Sequence, residues 1–186
     1  MDLSLCSNGP ARYDAGMILL LRFIAICRLR AGPADVPASP WLLRVAVLAY
    51  FISGIFVSHV DHRWSVSLVA SAADTLFLLA LAWLVLRVKQ YGNRYLQTVT
   101  SIAGSNAIIA LVSLPVLMLF RLVEPHGQLT MLVLLFVILL VIWNLMVTAH
   151  ILREALELQA GMAVIVTVIY TVLSLIVVGL AIAGVA

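Results

Sequence analysis

The chain has 186 residues, of which 65% are hydrophobic and only 10% charged, with a mean hydropathy of +1.18. A soluble domain carries about 25% charged residues, so a water-soluble enzyme does not fit. The net charge of +3 and the pI of about 9.2 come from arginines flanking apolar runs and imply no nucleic-acid partner.

Residues 1–40 form a cytoplasmic or interfacial N-terminal segment. Met17 to Cys27 is apolar but interrupted by Arg22 and followed by no small-residue cleavage site, so it does not read as a cleaved signal peptide. The pattern predicts an amphipathic helix over about 14–30, lying in the membrane interface and ended by Gly32-Pro33. Arg22, Arg28 and Arg30 are its lipid-surface residues, placed to meet anionic headgroups. Pro33, Pro37 and Pro40 make an extended connector over 31–40. Cys6 and Cys27 both precede the first span, on the reducing side in this reading, so no disulfide is expected.

From Trp41 onward the chain is a transmembrane domain, 41–186. A helix needs roughly 20 apolar residues to cross about 30 Å of hydrocarbon. Five segments meet that length, at about 41–60, 66–86, 95–120, 129–149 and 160–185. The fold class is therefore all-α, a polytopic five-span helical bundle. If the N-terminus is cytoplasmic, nine of the 11 Lys and Arg residues lie inside, leaving only Arg63 and Arg121 outside. That asymmetry sets the orientation. Trp41, Trp64 and Tyr95 suit anchoring at the headgroups.

Within the spans, Asp74 is the sharpest residue. It lies about 12 Å below an outer boundary near Val66, at 1.5 Å per helical residue, with no intramembrane Lys or Arg to pair with. A buried carboxylate there must be paired, hydrated or protonated. Asn106 and Asn144 sit at comparable depth or somewhat nearer the cytoplasm, and a neutral Asp74 hydrogen-bonded to Asn106 is the least costly arrangement. These three residues are the candidate intramembrane polar cluster, serving as structural glue, as a contact for a partner helix or as a proton or ion site.

Thr98, Ser101, Ala103, Gly104, Ser105 and Ala107 mark the third span as a packing helix with hydroxyls to share between helices. Pro115 should kink its outer half. Gly179 and Ala183 give the last span a small-x-x-x-small pair. At the outer connections, His59, Asp61, His62, Glu124 and His126 are competent metal ligands, but their spacing matches no metal signature and Arg63 adjoins them. A polar collar, with His62 near Trp64, is the simpler reading. Arg153 and Glu157 have i,i+4 spacing for a surface ion pair. No phosphate loop, serine elbow or zincin motif occurs.

Tyr95-Leu96-Gln97-Thr98-Val99-Thr100 opens the third span, Trp143 precedes a polar joint ending in Leu158-Gln159-Ala160, and Tyr170 lies inside the final span. Over about 66–186 this order resembles the Yip family of small five-helix membrane proteins, whose eukaryotic members interact with Rab GTPases. The acidic Asp-Leu-Tyr-Gly-Pro motif of those members is missing, so the resemblance carries no GTPase binding and no site residue. The connector at 30–37 reads as that of a bacterial inner-membrane protein.

The expected function is a non-enzymatic accessory, scaffold or assembly subunit without a cofactor, partnered by lipids and other integral membrane proteins in a hetero-complex or homo-oligomer. The alternative is a small transporter or channel component using the Asp/Asn cluster. A lipid-directed enzyme with the outer His/Asp/Glu set as its site is the third reading.

Overall fold

The computed structural model describes residues 15–123 and 127–185, and all regular structure among them is helical. A short helix α1 (Ala15–Cys27) is followed by a 3-10 turn at Pro33–Asp35. Five long helices follow: α2 (Pro40–His59), α3 (Trp64–Val88), α4 (Tyr95–Leu122), α5 (Gln128–Ala155) and α6 (Ala160–Ala183). All five are long and apolar enough to cross a membrane, so the chain is an integral membrane protein of helical-bundle type.

Local chemistry sets the helix ends. Ser39 Oγ accepts the Leu42 amide at 3.5 Å and Pro40 opens α2, a side-chain cap followed by a residue that needs no amide partner. Helices α1, α3 and α5 stop in one way. Leu29, Gln90 and Glu157 take left-handed φ values of 57°, 65° and 52°. The next amide then bonds back five residues, from Arg30 to Ala25, Tyr91 to Leu86 and Leu158 to Arg153, at 2.8 to 3.0 Å. So α1 ends at Cys27, before the Gly32-Pro33 pair expected to end it. Helix α5 runs to Ala155, six residues beyond the expected 149, because Ile151, Leu152 and Ala155 remain buried.

The long helices close into a ring. Helix α2 packs on α3 and α4, α3 on α6, α6 on α5, and α5 on α4. The connections alternate between two ends. At one end Arg121 pairs with Asp61, joining the end of α4 to the α2–α3 connection. At the other, Arg94 pairs with Glu157 at 2.7 Å, joining the α3–α4 and α5–α6 connections. The second end carries most of the basic residues, including Arg87, Lys89, Arg94 and Arg153.

The ring is packed unequally along its axis. Toward the basic end, α4 is buried continuously from Thr98 to Ala107. There α3 also touches α4 across the ring, with Tyr95 Oη donating to Leu79 O at 3.4 Å. The hydroxyls of this stretch do not bridge helices as expected. Thr98, Thr100 and Ser101 each donate to the carbonyl four residues back, at 2.6 to 2.8 Å. A short hydroxyl reaches its own backbone more readily than a neighbour's, so these residues assist packing through small volume.

Helix α1 lies against α4 and α5. Phe23, Ile26 and Cys27 are buried there. Cys27 Sγ donates to Ser105 O at 3.8 Å, and Trp143 Nε1 donates to the terminal carbonyl of Cys27 at 2.9 Å. Burial pushes the Cys27 thiol above its ordinary value, with a hydrogen bond to Ser105 opposing. Arg22 donates to Asp35 O, and Arg28 and Arg30 are exposed. Cys6 lies outside the described residues.

Candidate functional site

Toward the end carrying Asp61 and Arg121 the ring opens into a cavity of about 450 Å³. All five long helices wall it. Its lining runs from Tyr50 and Asn144 at mid-height to Val57 and Leu117 near the rim. Asp74, Asn106 and Asn144 all line this one space, although they come from α3, α4 and α5.

Their hydrogen bonds differ from the expected arrangement. Asp74 does not take Asn106 as its partner. The Tyr50 hydroxyl donates to Asp74 Oδ2 and the Ser174 hydroxyl to Oδ1. Asn144 Nδ2 donates instead to Asn106 Oδ1 at 3.1 Å. The ring order gives the reason: α3 is flanked by α2 and α6, which present hydroxyls, while the two asparagines face each other on the adjacent helices α4 and α5. The phenol of Tyr170 adds a third hydroxyl, hydrogen-bonded to that of Tyr50. Phe77 backs it, with ring centroids 6.0 Å apart and planes at 16°.

A carboxylate at the centre of a spanning helix costs about 2.5–3.5 kcal/mol on insertion scales. A hydrogen bond to a charged group returns about 1.5–3 kcal/mol, so two donated hydroxyls are enough to offset that cost. Among the described residues, Asp74 is the only Asp, Glu, Lys, Arg or His in the lining. The wall is otherwise neutral and polar at mid-height, and aliphatic toward the rim through Val57, Leu117 and Val137.

Tyr50, Tyr170 and Ser174 are site residues that sequence reasoning did not assign. The usable signal was Tyr170, Thr171 and Ser174, polar groups on one face of an otherwise apolar helix. A second, smaller void of about 30 Å³ lies toward the basic end, lined by apolar side chains of α3 to α6 together with Thr148 and Tyr170. Tyr170 therefore stands between the two spaces.

The remaining candidates lie outside the cavity. His59 stacks on Trp64 with centroids 3.8 Å apart, where His62 was expected. His59 Nδ1 bonds His62 O at 3.0 Å, His62 Nδ1 lies 3.3 Å from Ser58 O, and Asp61 is held by Arg121. Glu124 and His126 lie outside the described residues. Among the described residues, no three His, Cys, Asp or Glu side chains are grouped to hold a metal. Ser101 and Ser105 are buried in α4, whereas Gly179 and Ala183 are exposed on α6. Glu157 does not pair with Arg153. Its left-handed backbone takes it off the helix toward Arg94 and Tyr91, whose hydroxyl donates to it at 3.1 Å. The Arg94 hydrogen bond, with help from Tyr91, holds the Glu157 carboxyl below its ordinary value, and Glu157 raises the Tyr91 phenol.

No family model, curated protein or solved structure matches this chain.

Proposed function

We propose that this protein is a small transporter or solute-binding component of a membrane, with the Asp74 cavity as its binding site. The observation that carries this reading is the cavity itself. A space of about 450 Å³ walled by five spanning helices falls in the size range of small-molecule pockets. It also gathers the Asp/Asn cluster that otherwise has only a packing role. The excess of basic residues at the opposite end supports a cytoplasmic N-terminus and a cavity facing outward. A bacterial inner membrane is the compartment this reading favours. Helix α1 belongs to the cytoplasmic half, its exposed Met17, Leu20 and Leu21 immersed among lipid tails. The Yip-like helix order is kept as part of this proposal and bears on architecture alone.

The scaffold reading has one observation in its favour. A Cβ added at Gly179 would meet nothing within 4 Å, and Ala183 is also exposed, so this smooth face of α6 is not used within the chain.

Cysteine labelling in membranes tests the cavity. In a background lacking Cys6 and Cys27, Ser113→Cys places a thiol in the cavity wall, while Val112→Cys places one on the exposed side of the same helix turn. A membrane-impermeant methanethiosulfonate should modify the first and spare the second. Equal protection of both would mean a dry core and would leave the scaffold reading in possession.

A further inference from the structure

We propose that the cavity binds an organic ammonium ion, its charged head at Asp74 between the rings of Tyr50 and Tyr170 and its apolar body toward Val57, Leu117 and Val137. The inference rests on the binding role proposed above and specifies the ligand class.

The sign follows from the wall. Among the described residues, Asp74 is the only carboxylate in the lining, and no Lys, Arg or His lines the cavity. An anion would face a carboxylate between walls of low dielectric, and only a cation gains from it. The Tyr50 and Ser174 hydroxyls give their protons to Asp74, so their oxygens keep lone pairs that can accept, beside the carboxylate itself. An ammonium group carries hydrogen-bond donors and no acceptor, so it complements those acceptors.

Size and shape separate an organic cation from a metal ion or a bare proton. A metal such as calcium takes six to eight oxygens at short range. Asp74 already receives two hydroxyls, and the rest of the wall is largely hydrocarbon. A proton needs no space, yet the space is there. Phe77 stacks with the Tyr170 ring and holds that phenol in the wall. Asn144 and Asn106 also line the cavity, and the hydrogen bond between them uses one amide hydrogen of Asn144 and the carbonyl of Asn106, so the pair retains polar capacity for a substituent on the ligand.

The test uses the full-length protein in detergent and three probes of one shape and three charges: phenethylammonium, 2-phenylethanol and phenylacetate. Thermal unfolding is followed at millimolar probe. Phenethylammonium should raise the midpoint in a saturable way, with the alcohol and the carboxylate at least tenfold weaker. Asp74→Asn should weaken the ammonium response at least tenfold and bring it level with the alcohol. Tyr50→Phe keeps the carboxylate and should weaken the response by a smaller factor; it serves where Asp74→Asn does not fold. Equal responses to all three probes, a preference for phenylacetate, or no response to any of them overturns the proposal. A reactive Ser113→Cys with no preference for the cation removes the ligand class and leaves the cavity reading standing. An unreactive Ser113→Cys with no response removes both.

Discussion

Gly104→Ala should destabilise the protein, and the sign of its effect should reverse when Phe23 is removed. Gly104 lies in the continuously buried stretch of α4, directly beneath Phe23 of α1. A Cβ built on Gly104 would stand 2.7 Å from Phe23 Cδ1 and 2.8 Å from Cζ, with Cε1 closer still. Three atoms along one edge of the ring are involved, so turning the ring cannot clear them all. Phe23 is itself buried and packs with Ile26 and Ile102, so relief requires α1 to lift away from α4. Overpacking of this kind costs about 1–3 kcal/mol. Replacing glycine by alanine in a helix returns about 1 kcal/mol, so the net loss should be up to about 2 kcal/mol. In a Phe23→Ala background the collision is gone and only the helix gain remains, so Gly104→Ala becomes neutral or stabilising by up to about 1 kcal/mol. The coupling energy should then be about 2 kcal/mol. Steric trapping in micelles or bicelles measures all four proteins. A coupling below about 0.5 kcal/mol, the scatter expected for independent sites, would refute the seating of α1 on α4.

The other predictions concern separate parts of the molecule. Gln90→Gly should raise stability by about 1 kcal/mol, because Gln90 holds a left-handed φ of 65° that glycine adopts without strain; a loss in the same unfolding assay would show that the α3 terminus is built otherwise. Trp143→Phe removes the donor to the Cys27 carbonyl and should speed modification of Cys27 by a membrane-permeant maleimide several-fold, because release of that carbonyl loosens the end of α1; an unchanged rate would count against the contact. Glu157→Gln should matter only above the acid range. The folded carboxyl titrates below its ordinary value of 4.5, so its contribution is complete above that value and fades as pH falls through the lower, folded one. Wild type should therefore lose its advantage over the variant in acid and hold it unchanged from pH 5 to 8, as detergent unfolding against pH would record.

Much of the architecture was legible because lipid leaves few choices. Length and freedom from charge marked five helices, since a backbone in hydrocarbon must satisfy itself. Their ends were less legible. Leu29, Gln90 and Glu157 end helices in a conformation that favours glycine, so composition offered no punctuation there. The extension of α5 to Ala155 was hidden by Arg153 and Glu154, two charges on its exposed side. At the site, Asp74, Asn106 and Asn144 were visible as polar residues in apolar runs, but their partners were not. Pairing depends on the order of helices around the ring, which hydropathy does not encode. Tyr50 and Ser174 come from helices whose other residues are mostly apolar, and only the ring order brings both to α3.

The same order explains why the bundle is closed at one height and open at another. Toward the basic end α4 offers alanine, glycine, serine and threonine, and its neighbours draw in until α3 touches it across the ring. Beyond Asn106, α4 turns Ile109, Ala110, Ser113 and Leu117 to the cavity and Leu111 to the outside, and Pro115 removes the amide that would bond the carbonyl of Leu111. The small Ala110 and Ser113 fill little of the ring there, and a hollow with one carboxylate results. Tyr170 lines both the large cavity and the small void beneath it. A solute seated at Asp74 would therefore meet that phenol before the closed half of the ring. Passage across the membrane would require Tyr170 to leave Phe77 and α3 to part from α4. Binding alone would require neither, so mobility at Tyr170 separates a carrier from a receptor built on the same five helices.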